Sequence, residues 1–419
     1  MAHILLRHRD IPDIHQLDVY LANGGYEGLK KALTEYQPDQ VIDLVKKANI
    51  KGRGGAGFPA GVKWGFIPKA PGPKYVVVNG DESEEGTFKD RELMEYNPHQ
   101  IIEGALIAAY AIQAQAVYIY FRGEFMVASA PFEQAVRDAY GANLAGRNIL
   151  GTGFNCEFYV HYGAGAYICG EESALLESLE GKLGQPRLRP PFPAQKGLYQ
   201  APTVVNNVET LCNVPPVVVY GADWYLGLSK DTPDSPGPKI CCLSGHVNRP
   251  GNYEIIMGET TYGQLINAPE YGGGIPGGKA LKAILPSGGS GPVVTAAALD
   301  APVTFSGLTP FNSIMGSASI IVLDETVDMV WAAMKITHFF AHESCGKCTP
   351  CREGTYWLKQ IFHRIWEGHG TEADVKLLEA VANQMTGKCL CALGEFATSP
   401  VLSTIKHFPE DYRKRVRKT

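Results

Sequence analysis

The sequence predicts an α/β chain in three parts: a parallel sheet layered with helices, a small β-rich domain of β-grasp type with one helix, and a helical bundle. Three observations carry this expectation. Helix and strand patterns alternate through the first half, short strands take over after a proline-rich seam, and apolar residues recur at helical spacing from Asp324 onward. In order, VIDLVKKANI reads as helix, KYVVVNG as strand, PHQIIEGALIAAYAI as helix, AVYIYF as strand, PFEQAVRDAY as helix and CEFYVHYG as strand. Such alternation argues for a parallel sheet. Beyond the seam DTPDSPGPK, the strands KICCLSGHV and NYEIIMG are joined by the turn NRPG and followed by a short helix, TTYGQLI. Val327, Val330, Trp331, Met334 and Ile336 then open a small helical bundle. No repeat of solenoid period interrupts this order.

At 419 residues the length suits about two to four domains, each able to bury a core. The net charge of −5 is small for that size. Its one basic cluster, Arg413, Lys414, Arg415, Arg417 and Lys418, reads as a solvated helix end, so no nucleic-acid partner is expected. MAHILLRHRDIPDIHQ has no apolar core followed by a small-residue cleavage site, which predicts no secretory signal and a cytoplasmic chain. The most apolar stretch, Ile101 to Phe121, is interrupted by Glu103, Gln113 and Gln115 and reads as a buried helix running into a strand. No direct membrane insertion is expected; membrane association would come through partners. The 47 glycines and 28 prolines concentrate at Gly52 to Gly72, Gly181 to Pro202, Ser229 to Pro238 and Tyr271 to Gly291, which marks functional loops or seams.

Ten cysteines in a reducing compartment favour metal ligation or burial over disulfides. Cys345, Cys348 and Cys351 lie at two-residue gaps in ESCGKCTPCREG, and Cys391 follows in CLCALGE. Three thiolates on one tight loop suit three corners of an iron–sulfur cube, and a remote cysteine closes the fourth. That pattern predicts a [4Fe–4S] cluster and electron transfer. A structural zinc site more often shows two separated C-x-x-C pairs, and unliganded core cysteines are the remaining reading. Cys389 rivals Cys391 for the fourth position; it and Cys156, Cys169, Cys212, Cys241 and Cys242 lack ligand spacing and default to the core.

GRGGAGFPAG, Gly52 to Gly61, contains G-x-G-x-x-G, but a helix precedes it and the strand follows, the reverse of a dinucleotide fingerprint. Its glycines still let backbone approach a flat or phosphorylated ligand, with Lys63 as counter-charge; the alternative is a tight connection whose glycines only relieve sterics. VVVNGDESEEG runs from an apolar strand into Asn79, Asp81, Glu82, Glu84 and Glu85, at the strand end where open α/β sheets bind ligands. Carboxylates there accept ribose hydroxyls and repel a 2′-phosphate, favouring NADH over NADPH. In isolation the segment is a solvated acidic turn. GAGAYICGEESALLESLEG places Gly170, Glu171 and Glu172 at a helix start whose amides face developing negative charge. Asn206 and Asn207 offer amide donors and acceptors, and the loop aromatics Phe58, Phe66 and Phe192 suit a purine, though each alone reads more readily as a core aromatic.

Together, in this order, these motifs closely resemble the flavin-bearing, NADH-oxidising subunit of respiratory complex I, the 51-kDa (NuoF) family, over nearly the whole chain from YLANGGYEGLKKAL onward. The resemblance implies a Rossmann-like FMN/NADH domain at 1–235, a β-grasp domain of SLBB type at 236–322, and a four-helix bundle with the [4Fe–4S] cluster at 323–419. It places FMN on Gly52, Arg53, Gly54, Lys63, Asn79, Asp81, Glu82, Tyr167, Gly170, Glu171, Glu172, Asn206 and Asn207. It places NADH adenine on Phe58, Phe66 and Phe192, with Glu84 and Glu172 orienting ribose and nicotinamide, and the cluster on Cys345, Cys348, Cys351 and Cys391. The implied reaction is hydride transfer from NADH to FMN, with no protein general base, then single electrons to the cluster. Implied partners are a thioredoxin-like [2Fe–2S] subunit of NuoE type and a larger Fe–S subunit of NuoG type leading to quinone, with the chain peripheral to the inner membrane face.

Two departures stand out. NGDESEEG carries Gly80 and Glu85 where the family has alanine and proline, predicting added flexibility and one more charge, and Arg189 stands where lysine is common. The alternative reading is a diaphorase subunit of an NAD-linked formate dehydrogenase or hydrogenase. Outside enzymes, the alternatives are a flavin-less Fe–S scaffold or a zinc-stabilised binding module.

Overall fold

In the computed structural model, residues 2–229 and 232–417 are described; Lys230 and Asp231 beside the seam, and Lys418 of the basic tail, lie outside them. The apolar runs become eight strands among the described residues: β1 Tyr75–Gly80, β2 Ala116–Phe121, β3 Glu157–Tyr162, β4 Thr203–Asn207, β5 Pro238–Gly245, β6 Gly251–Ile256, β7 Leu281–Gly289 and β8 Ser319–Asp324. The chain divides into two compact units, one holding residues 1–83, 88–241 and 254–259, the other 84–87, 242–253 and 260–419.

In the first unit the sheet order is β3–β2–β1–β4, and every pair is parallel. From β1 the chain winds outward through β2 to β3, then returns to place β4 on the other side of β1. The order reverses between β1 and β4, and such a switch point leaves a crevice at the strand carboxyl ends. Asn79 of β1 is in register with Asn207 of β4, so two asparagines flank it.

Helix Pro98–Ile112 packs on β1 and β2. Proline at its first turn needs no amide partner, and nearly every residue along it is buried. Its one carboxylate, Glu103, is fully enclosed and acts as a tether: it accepts Tyr20 Oη at 2.5 Å, the Tyr26 amide at 3.0 Å and the Leu29 amide at 3.1 Å. Burial pushes its carboxyl up, against those hydrogen bonds. Gly104 lets helix Val208–Cys212 approach closely, since an added Cβ would lie 2.2 Å from Leu211 O. Gly104→Ala is therefore expected to cost about 1–3 kcal/mol by overpacking. A thermal melt checks this: an unchanged Tm would mean the helices part freely.

Helix Met126–Gly141 starts earlier than its expected start at Pro131, which lies inside it. β4, β7 and β8 were not anticipated as strands.

In the second sheet the order is β6–β5–β8–β7, with β5 parallel and β7 antiparallel to β8. Helix Tyr262–Asn267, opened by a Thr261/Gln264 capping box, completes the mixed β-grasp arrangement. Four long helices follow, Met329–Glu343, Thr349–Trp366, Glu372–Met385 and Leu393–His407, and then a short one, Pro409–Arg415. Asp328 caps the first by accepting the Val330 and Trp331 amides, and a Thr371/Asp374 capping box starts the third. Gly354 admits Met385 against the second helix, where an added Cβ would lie 2.4 Å from its Sδ. No helix among the described residues is long and apolar enough to cross a membrane.

Candidate active site and cluster loop

The glycine loop is pinned at its base by an antiparallel bridge between Lys51 and Pro59 and by the Gly52 amide donating to Phe58 O at 2.9 Å. Gly55 and Gly57 have φ of 128° and 65°, a backbone that side-chain-bearing residues rarely adopt. An added Cβ at Gly54 would sit 3.1 Å from Asn207 Cβ, which puts the loop directly against the end of β4. Lys63, on helix Ala60–Gly65, donates to Glu172 Oε2 at 3.0 Å and to Val205 O at 3.1 Å. Trp64 is fully buried and holds Asn206 through Nε1 to Oδ1 at 2.8 Å.

At the end of β1, Asn79 Nδ2 donates to Gly170 O at 2.9 Å while its Oδ1 accepts the Asp81 amide. A Cβ at Gly170 would lie 3.2 Å from Asp81 Oδ2. Asn79 and Asp81 are therefore held against the turn Tyr167–Gly170, which includes half-buried Tyr167. Glu171 caps the following helix, Glu172–Leu179, by accepting the Ser173 and Ala174 amides at 3.0 Å. Two of the amides at this helix start are thus taken by Glu171. Arg189 pairs with Glu171 and lies 3.7 Å from Glu172.

Two of the charged residues predicted for the site are buried. The Arg53 guanidinium is fully buried, donating to Tyr225 Oη at 3.0 Å and Pro236 O at 2.8 Å, so its charge lies in the interior and not on the loop surface. Glu82 is buried too, accepting the Asp90 and Arg91 amides; burial and the Asp90 charge push its carboxyl up to about 7, against Lys89. Phe58, Phe66 and Phe192 are 45%, 59% and 52% exposed, well outside the core, and the Phe58 and Phe66 rings are 6.2 Å apart. In the second unit, Glu84 accepts the Ser290 amide at 3.1 Å. Burial, then the Glu84 charge, pushes the Glu85 carboxyl up to about 7. Gly80 corrects the expectation of flexibility: it lies within β1, and an added Cβ would meet Tyr120 O at 2.7 Å and Met94 Cε at 2.9 Å. It is a close approach, not a hinge.

The cysteines gather around the start of helix Thr349–Trp366, with Cys348 at its cap and Cys351 in its first turn. Cys348 Sγ accepts the Leu390 amide at 3.4 Å, which draws the CLC segment to the loop. As a thiol, Cys351 is pushed up to about 11, first by burial and then by Cys348 and Cys345. Cys391 is likewise pushed up to about 11, first by burial and then by Cys351, Cys345 and Cys348. Cys389 is pushed up to about 12 by burial, then by Cys351, Cys348 and Cys391. Its default core placement is corrected: it is only half-buried and adjoins the loop, whereas Cys156, Cys169, Cys212, Cys241 and Cys242 are buried. No group of three or more His, Cys, Asp or Glu among the described residues is arranged to hold a single metal ion.

Residues 45–216 match the family described as the Nuo51 FMN-binding domain, and residues 331–415 match the NADH-ubiquinone oxidoreductase-F iron–sulfur binding region. An NADH-quinone oxidoreductase subunit of NuoF type, from Rhizobium meliloti (strain 1021), is 50% identical over 410 residues, covering 98% of this chain and 96% of the relative. The chain belongs to the NuoF family of NADH-quinone oxidoreductase subunits. The NuoF-type relative of Mycobacterium tuberculosis (strain ATCC 25618 / H37Rv) is 48% identical over 421 residues, 99% of this chain and 93% of its own. Among solved structures, an NAD+-reducing [NiFe]-hydrogenase in the air-oxidized state superposes with a TM-score of 0.83 at 37% identity. That match covers 92% of this chain but 65% of the hydrogenase chain.

This member of the NuoF family is an NADH dehydrogenase with FMN and a [4Fe–4S] cluster as cofactors. The residues present fit both groups. Gly54 and Gly170 let backbone close on Asn207 and Asp81 at the strand ends, where Asn79, Asn206 and Asn207 supply amide donors and acceptors, and the cluster loop offers a set of soft thiol donors. What the sequence did not single out is the buried charge network behind Asn207: Lys89, Asp90, Glu209 and Lys239. Their signal was faint: a glutamate between Val208 and Leu211, and a lysine beside the apolar run ICCL.

Proposed function

We propose that the crevice between β1 and β4 holds FMN and presents it to NADH. The observation that carries this reading is the convergence of the Gly52–Gly54 loop, Asn79 with Gly170, and Asn206 with Asn207 on one sheet switch point. When bound, the flavin supplies a two-electron acceptor that can be reoxidised one electron at a time, and the cluster supplies a one-electron carrier. The chain's own residues position and shield. Gly52, Gly54 and Gly170 let backbone lie against the ring and phosphate, Lys63 balances anionic charge, and Tyr167, Asp81, Glu171, Asn79, Asn206 and Asn207 complete the cradle, with buried Glu82 supporting it from behind through the Asp90 and Arg91 amides. Arg53 acts from the interior: its amide donates to Thr210 Oγ1 at 2.8 Å and so holds the loop. Phe58, Phe66 and Phe192 offer exposed rings to adenine. Glu172 orients the substrate from its pair with Lys63, and the same role is assigned to Glu84 by family resemblance. Cys345, Cys348, Cys351 and Cys391 hold the cluster. We assign 1–235, 236–322 and 323–419 as the FMN, β-grasp and bundle domains.

As a subunit, the chain works with other subunits of its complex. The partners proposed are a thioredoxin-like [2Fe–2S] subunit and a larger Fe–S subunit leading to quinone, at the cytoplasmic face of the inner membrane. The likeness to the NAD+-reducing hydrogenase favours one second reading, a diaphorase subunit of such an enzyme.

Anaerobic titration of the chain with its [2Fe–2S] partner tests the function. NADH is expected to bleach the flavin and develop a reduced-cluster EPR signal, with NADPH at least about tenfold less effective because the acidic turn repels a 2′-phosphate. Bound cluster without bleaching would reduce the chain to an electron relay.

A further inference from the structure

Asn207 is held at both ends of its carboxamide. Oδ1 accepts the Glu209 amide at 3.0 Å, and Nδ2 donates to Asp90 Oδ2 at 2.7 Å. A flipped carboxamide would set oxygen against the Asp90 carboxylate and NH2 against a backbone N–H, so only one orientation satisfies both neighbours. Asp90 is itself held on several sides. It is buried, its Oδ1 accepts Lys89 Nζ at 2.8 Å, and its amide donates to Glu82 at 2.8 Å. Lys89 in turn lies 2.9 Å from Glu209, which accepts Lys239 Nζ at 2.8 Å. Burying this many charges is expensive, and well-packed apolar residues of similar volume often serve stability as well or better. The charges do something apolar residues cannot: they dictate which end of Asn207 is donor and which is acceptor.

We propose that Asp90 is a positioning residue for the flavin, locking Asn207 so that its second Nδ2 hydrogen is available to a bound acceptor. The proposal rests on the assignment of Asn207 to the FMN site. Asp90 need not touch the ligand; it acts through Asn207.

The test is a double-mutant cycle on the full chain, read by FMN affinity from fluorescence quenching and by the flavin midpoint potential. Asp90→Asn and Asn207→Ala are each expected to weaken FMN binding about tenfold or more, the scale of a hydrogen bond to a charged group. The double variant should be no weaker than the worse single variant, and the potential shift caused by Asp90→Asn should vanish once Asn207 is alanine. Additive losses would overturn the proposal. The exchange of Asp90→Asn with Asn207→Asp separates positioning from folding, because it restores a hydrogen bond between the two positions while removing the donor meant for the ligand. It should melt near the parent Tm and still bind FMN poorly; parent-like affinity would overturn the proposal even if Asp90→Asn alone does not fold. A parent chain that binds no FMN would sink the assignment of the site itself, whereas FMN binding with additive losses sinks only the role of Asp90.

Discussion

Replacing Cys348 with serine is expected to strip the cluster from this chain while leaving its flavin able to take electrons from NADH. Losing a group behind a metal ligand already costs 10–100-fold, so losing a ligand should reduce electron delivery to the partner by more than about 100-fold. Iron should fall from about four per chain toward zero. Cys348 stands at the cap of helix Thr349–Trp366 and accepts the Leu390 amide, so it joins the loop to the segment that carries the remote cysteine. Iron analysis, the EPR signal of the reduced protein and flavin bleaching are the measurements. Intact iron in Cys348→Ser would refute the ligand assignment. The same assay decides the fourth position: Cys391→Ser should behave like Cys348→Ser, and Cys389→Ser should keep its iron. The reverse outcome would move the ligand to Cys389, which the structure also places beside the loop.

Glu209→Ala should be the most damaging single change to the stability of the first unit. Glu209 is fully buried and accepts Lys239 Nζ at 2.8 Å and the Ile240 amide at 2.9 Å, with Lys89 Nζ at 2.9 Å. Burial disfavours its charge, but Lys239, Lys89 and Arg53 outweigh that and hold it ionised, below its ordinary value. Lys89 keeps Asp90 when Glu209 is removed, whereas Lys239 is left with a single backbone carbonyl, Ile240 O. Breaking such a pair from one side costs about 3–5 kcal/mol, because an uncompensated charge stays buried. Urea unfolding followed by protein fluorescence would measure the loss. Adding Lys239→Met to the variant should recover much of it, since the orphaned ammonium is removed. No recovery would show that the damage lies elsewhere, for example in the start of helix Val208–Cys212.

Much of this protein is legible residue by residue because its signals are local. The strand AVYIYF and the helix PHQIIEGALIAAYAI appear with the bounds their periodicity implied, since apolar pattern and capping proline are properties of adjacent residues. β4 was missed because TVVNN is short and polar at its end, and only pairing with β1 makes it a strand. β7 carries a proline and three glycines or serines at its end, which read as a loop without the support of β8. Pro131 looked like a helix start, yet the helix runs through it.

The amino-acid order by itself determined the class of chemistry: thiolates at cluster spacing, glycines that admit a flat anionic ligand, and carboxylates at a strand end, all chosen by covalent spacing and side-chain type. Which charged side chains are buried was decided only by tertiary structure. Arg53 stands within the glycine loop in sequence, but the Tyr225 hydroxyl and the Pro236 carbonyl draw its guanidinium into the interior. Glu209 carries no local signal of burial, but Lys89 and Lys239, distant in sequence, offset the cost of burying it. Burial, and the partners that offset it, depends on residues far apart along the chain, so no local pattern can announce it.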